Sequence, residues 1–179
     1  MTDATVLPPT RVLLLGMMGS GKSSVGEALS VRTGWPFIDN DALVERATGR
    51  TARELLRDEG EQAMRDAESE ALRAGLAIPA PAIVATAAGT ILREDDRGAI
   101  ARGGLVVWLH AAPDVLAARA VGATHRPWLD DDPVGWFERT IEERAPLYRS
   151  IADLEIDTGT TDPEAAAGRV IERLATIGA

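Results

Sequence analysis

Residues Gly16 to Ser23 read G-M-M-G-S-G-K-S, which fits G-x-x-x-x-G-K-[ST] without a mismatch. The spacing has a physical reason. Glycines let successive backbone N–H groups turn inward as an anion nest, and the N-terminus of the following helix adds partial positive charge. Lys22 then reaches the outer phosphates of a nucleotide, and the Ser23 hydroxyl offers a ligand to Mg²⁺. A flexible glycine turn is the bland alternative, but it leaves the lysine unexplained. Of the 19 Lys and Arg residues, 18 are arginine and Lys22 is the single lysine. A guanidinium is planar and wide, so a nest built for a compact ammonium does not accept it.

The surroundings of the loop set the fold class. Val12 to Gly16 is a short apolar run before it, and Ser23 to Arg32 reads as a helix stopped by Gly34. Trp35 to Ile38 predicts a second strand, and Asp41 to Thr48 a helix closed by Gly49. Thr51 and Glu54 form a capping box for a helix ending at Gly60, and Glu61 to Arg73 is helical up to Gly75. Ala82 to Thr86 and Leu105 to His110 are continuous apolar runs, as expected of strands covered on both faces. Arg93 to Arg102 predicts a helix between them. Helices from Pro113 to about Ala120 and from Pro133 to Glu143 follow, then a strand over Leu154 to Asp157 and a closing helix from Pro163 to Ile177. Alternation of this kind predicts α/β architecture, a three-layer sandwich around a five-stranded parallel sheet. No repeat or long linker divides the 179 residues, so one domain is expected.

Composition removes several function classes. With no cysteine and only His110 and His125, thiolate chemistry and multi-histidine metal sites are excluded. No apolar run approaches the roughly 20 residues of a membrane span, and Met1 to Thr10 lacks the features of a signal peptide. A net charge of -9 argues against nucleic acid as a partner. A cytoplasmic monomer that uses neither membrane nor nucleic acid is expected. GTPase base-reading motifs of the N-K-x-D kind need a second lysine, so they are absent.

Four further clusters each allow two readings. Asp39-Asn40-Asp41 is either a helix-capping group or a pair of carboxylates serving Mg²⁺ and a reacting hydroxyl. Glu61, Arg65 and Glu68 share one helix face, as a surface ion-pair ladder or as an oriented arginine. Arg126, in R-P-W-L, lies in a surface loop or a closing lid. Arg144, in R-A-P-L-Y, is a solvated helix residue or a ligand-binding one.

Taken together, these segments resemble the shikimate kinases over residues 11 to about 173. The matching stretches are G-M-M-G-S-G-K-S, F-I-D-N-D, G-E-Q-A-M-R-D-A-E, A-T-A-A-G-T, R-P-W-L, R-A-P-L-Y and A-D-L-E-I-D-T. The resemblance implies a nucleoside-monophosphate-kinase-like P-loop fold. Its activity is ATP-dependent phosphorylation of the 3-hydroxyl of shikimate, a step toward chorismate and the aromatic amino acids. It also implies roles. Gly16, Gly19, Ser20, Gly21, Lys22, Ser23 and Ser24 hold ATP phosphates in the loop 16–24. Ser23 and Asp39 serve Mg²⁺, the latter through water, and Asp41 binds the attacking hydroxyl and takes its proton. Arg65, Gly89 and Arg144 bind the carboxylated substrate within a region that includes helices over about 39–75, with Glu68 orienting Arg65. Arg126 closes with a lid at about 120–133, and Arg119 and the loop from Thr158 to Pro163 lie by the adenine.

Three positions in two segments depart from the family pattern. Ala87-Ala88-Gly89 replaces three glycines, and Met64 stands where an aromatic is usual. The added methyl groups narrow the pocket, or leave its N–H groups available, according to their backbone angles. A kinase for another hydroxylated acid, such as gluconate, is the alternative expectation. A nucleotide-binding module without catalysis predicts loss of Asp41 or Arg126, and both are present.

Overall fold

The apolar runs of the sequence form the strands of one parallel sheet. The computed structural model describes residues 10–121 and 132–177. Its strands are β1 (Arg11–Leu15), β2 (Phe37–Asp39), β3 (Ala82–Ala85), β4 (Leu105–His110) and β5 (Leu154–Asp157). The first helices are α1 (Lys22–Thr33), α2 (Asn40–Thr48), α3 (Ala52–Glu59) and α4 (Glu61–Ala77). The later ones are α5 (Glu94–Ala101), α6 (Pro113–Val121), α7 (Pro133–Arg149) and α8 (Pro163–Ile177). The five strands lie in the order β2-β3-β1-β4-β5, with every pairing parallel.

Alternation along β1 divides the core. Leu13 and Leu15 face Leu72, Ile100, Leu116 and Phe137 of α4 to α7, whereas Val12 and Leu14 face Val25, Leu29, Val170 and Leu174 of α1 and α8. All four β1 residues have no exposed surface, so each contributes about 1.5–3 kcal/mol by leaving water. A third cluster of Val44, Leu55, Met64 and Ala71 joins α2, α3 and α4. Helices cover both faces of the sheet, so the three-layer expectation holds.

Two helices outrun their expected ends. Gly75 lies inside α4, where an added Cβ would stand 3.1 Å from Val84 Cγ1. The glycine therefore lets helix and sheet approach closely, and that contact offsets its roughly 1 kcal/mol propensity penalty. The second, α7, continues through Pro146 to Arg149 instead of ending at Glu143. Proline removes one helical hydrogen bond, while Ala145 and Tyr148 on either side of it are buried in the core. Strand β2 also starts two residues later than expected, at Phe37.

The chain leaves β1 and pairs on both of its sides, with β3 and with β4. Connections at the carboxyl end of β1 and its neighbours therefore diverge and open a crevice there. Among the described residues no helix is long and apolar enough to cross a membrane.

Candidate active site

The turns after β1, β2, β3 and β5, with α3, α4, α7 and Arg119 of α6, line one cleft of about 1560 Å³. After β1 comes the glycine loop. Gly16 has φ +145°, and a Cβ on it would meet Leu109 O at 2.2 Å. Gly21 has φ +88° and caps α1 in the left-handed region. Gly19, Gly21, Ser23 and the exposed Ser24 all line the cleft, while Ser20 is buried behind them. Lys22 Nζ donates to Gly16 O at 2.8 Å and Met17 O at 3.0 Å. Burial pushes the pKa of this ammonium down, and the charges of Asp41 and Asp39 oppose the shift.

After β2, one carboxylate makes both the helix cap and a contact with the glycine loop. Asp39 Oδ1 accepts the Asp41 N–H at 3.0 Å and caps α2, while Oδ2 accepts the Ser23 hydroxyl at 3.0 Å. Asp41 is not needed for the cap, and its side chain lines the cleft. Asn40, which the sequence reading treated only as part of the cluster, is 1% exposed and donates from Nδ2 to Glu68 O at 3.3 Å. It ties the start of α2 to α4. No local signal in the sequence singles it out, since its partner lies on another helix.

The face of α4 is not a plain surface ladder. Arg65 donates to Glu68 Oε2 at 2.8 Å and to Glu61 Oε1 at 3.2 Å. Side-chain exposure is 19% for Arg65 and 8% for Glu68, against 69% for Glu61. Burial lifts the Glu68 carboxyl above its usual range although Arg65 pulls the other way. For Arg65, burial alone would lower the pKa, but Glu68 and Glu61 hold it up.

The turn after β3 meets α7. Gly89 has φ −83° and ψ −20°, angles open to any residue, so its constraint is steric. A Cβ there would stand 1.7 Å from Arg65 Nη1. Gly89→Ala should therefore displace Arg65 and raise KM for a carboxylated substrate, with little change in KM for ATP. An unchanged KM in steady-state kinetics would contradict this. The carbonyl of Ala88 accepts from Arg144 Nη1 and from the Tyr148 hydroxyl, each at 3.3 Å. Tyr148 lies one turn after Arg144 on the same helix face, a spacing from which sequence could have flagged it. Arg144 Nε is buried without a hydrogen-bond partner among the described residues.

On the far side, Arg119 of α6 donates to Gly19 O at 3.1 Å and Thr158 O at 2.8 Å. Its guanidinium grips the glycine loop and the β5–α8 turn, and that turn up to Pro163 lines the same cleft. Arg126 and most of the expected lid at 120–133 lie outside the described residues. The structure thus gathers the other expected residues into or against one cleft.

A parallel sheet whose first turn is a phosphate loop, facing two carboxylates and two arginines across a cleft, defines a P-loop kinase for a small molecule. The family model for shikimate kinase matches residues 18–175, and the chain belongs to that family. It is 37% identical to a shikimate kinase of Symbiobacterium thermophilum over 91% of this chain and 95% of the relative. A structure of shikimate kinase from Acinetobacter baumannii in complex with shikimate superposes with TM-score 0.88 at 28% identity, covering 94% of each chain. A gluconokinase from Sinorhizobium meliloti is less similar, with TM-score 0.60 at 25% identity over 96% of this chain and 98% of its own. The chain is accordingly a small-molecule kinase of the shikimate kinase family, not a gluconokinase-like relative.

Proposed function

We propose that one kinase domain transfers the γ-phosphoryl group of ATP to the 3-hydroxyl of shikimate, with the roles that follow. The observation that carries the substrate assignment is the pair of guanidinium groups, Arg65 and Arg144, in a cleft shared with Asp41 and Lys22. Two guanidinium groups suit a planar carboxylate, because each offers paired donors in a fixed fork. Glu68 fixes the direction of Arg65, and the Ala88 carbonyl that of Arg144.

Phosphoryl transfer calls for positioning and charge neutralisation more than for covalent help. Asp41 accepts the hydrogen bond of the attacking hydroxyl and takes its proton as the new O–P bond forms and the bond to the ADP oxygen breaks. Lys22 and the loop N–H groups take up the charge of the phosphates, and Arg126, outside the described residues, is assigned the same task. Ser23 and Asp39 present two hard oxygen donors, a pair that fits Mg²⁺, which binds through one or two carboxylates plus substrate phosphates. When bound, the ion would neutralise charge on the phosphate chain. The reading takes the kinase to act as a cytoplasmic monomer.

A coupled ADP-release assay over shikimate, gluconate and nucleoside monophosphates tests the reading. Turnover with shikimate alone is expected; turnover with another acid and none with shikimate would overturn it. The lifted pKa of Glu68 adds a pH prediction. Protonation removes the charge that holds Arg65, so KM for shikimate should rise as pH falls toward that raised value. Glu68→Gln should give a high KM with that acid rise removed, and an unaltered pH profile would speak against the assignment.

A further inference from the structure

Thr158, just past β5, joins three parts of the nucleotide side of the cleft. It is 7% exposed. Its hydroxyl oxygen lies 3.0 Å from Ser20 O and 3.1 Å from His110 O. His110 O already accepts the Thr158 N–H at 2.8 Å, so the single hydroxyl proton is best used on Ser20 O. The same oxygen accepts from Arg119 Nη1 at 3.2 Å, and that nitrogen also reaches Gly19 O at 3.1 Å. Arg119 Nη2 closes the arrangement on Thr158 O at 2.8 Å.

Two consecutive carbonyls of the glycine loop, Gly19 and Ser20, are thus held by one threonine–arginine pair. In a planar trans peptide the C=O and N–H point in opposite directions. The partner of the Ser20 carbonyl therefore sets the direction of the Gly21 N–H, a member of the anion nest. Thr158 also lies against this point, since a Cβ on Gly21 would be 3.9 Å from Thr158 Cβ and Cγ2.

We propose that Thr158 is a positioning residue for the nucleotide phosphates, its hydroxyl acting with Arg119 to fix the peptide between Ser20 and Gly21. The inference rests on the reading above that the glycine loop holds ATP. It assigns Arg119 a grip on that loop, in addition to any contact with the base.

Thr158→Val keeps the branched shape and removes the hydroxyl, whereas Thr158→Ser keeps the hydroxyl and removes the methyl. ATP affinity of both variants, measured by titration calorimetry with Mg²⁺ and without shikimate, is compared with the wild type alongside KM for shikimate. The valine variant should bind ATP roughly ten-fold more weakly, with KM for shikimate unchanged, and serine should restore the wild-type affinity. Unchanged affinity in the valine variant would overturn the proposal. So would equal losses in both variants, or a parallel loss for both substrates, since packing alone would then explain Thr158. Wild-type chain that binds ATP but does not turn over shikimate would sink the shikimate assignment and leave the valine–serine comparison intact.

Discussion

Asp41→Asn should lower kcat by roughly 10²- to 10⁴-fold, the range associated with a positioned proton acceptor, while ATP affinity stays close to that of the wild type. The amide keeps the size of the carboxylate but can no longer take a proton from the attacking hydroxyl. The fold should tolerate it, because the cap of α2 is made by Asp39 and not by Asp41. One side effect is expected. Asp41 is the first of the charges that hold up the Lys22 ammonium, so the variant's activity should fall at a lower alkaline pH than the wild type's. A rate near normal in the coupled assay would show that another group takes the proton.

Lys22→Ala should reduce phosphoryl transfer by at least about 10²- to 10³-fold, the loss seen when one preorganised donor to developing charge is removed. ATP binding should weaken as well, since the ammonium is the loop's only side-chain cation. Stability should change little or improve. In the folded chain the ammonium is desolvated, and burial lowers its pKa, so removing it relieves a charge that folding disfavours. Thermal melting of the free protein alongside single-turnover kinetics checks both parts. A variant that melts far lower, or one that transfers phosphate at the wild-type rate, would contradict them.

These two residues were the most legible in the sequence because their chemistry is local. A glycine loop, its lysine and the hydroxyl after it occupy consecutive positions, and the two carboxylates close the next strand. Strand–helix alternation likewise gave the sheet, since apolar runs and glycine stops are short-range signals. Properties that depend on distant partners were less readable. Gly75 reads as a helix stop until Val84 is seen beside it, and Pro146 reads as a breaker until the burial of Tyr148 is known. Nothing local separates Arg65 from a surface ladder, because its environment comes from Gly89, on a turn from another part of the chain. The contact of Asn40 with α4 and the grip of Thr158 on the glycine loop were not legible for the same reason, since the partners are backbone carbonyls far away in sequence. Ala87-Ala88 carried the largest doubt about substrate. The structure shows a carbonyl at Ala88 shared by Arg144 and Tyr148, and a backbone acceptor does not depend on the methyl group.

An acidic chain of net charge -9 gathers Lys22, Arg65, Arg119 and Arg144 around one cleft. These cations stand among carboxylates that include Asp39, Asp41, Glu61 and Glu68, and they supply the positive groups that two anionic substrates require. The most direct test is a crystal structure of the chain with shikimate and ADP. The account predicts the carboxylate between Arg65 and Arg144, the 3-hydroxyl at Asp41, and the phosphates in the loop from Gly16 to Ser24. A carboxylate bound away from both arginines, or a ring whose 3-hydroxyl faces away from Asp41, would contradict it.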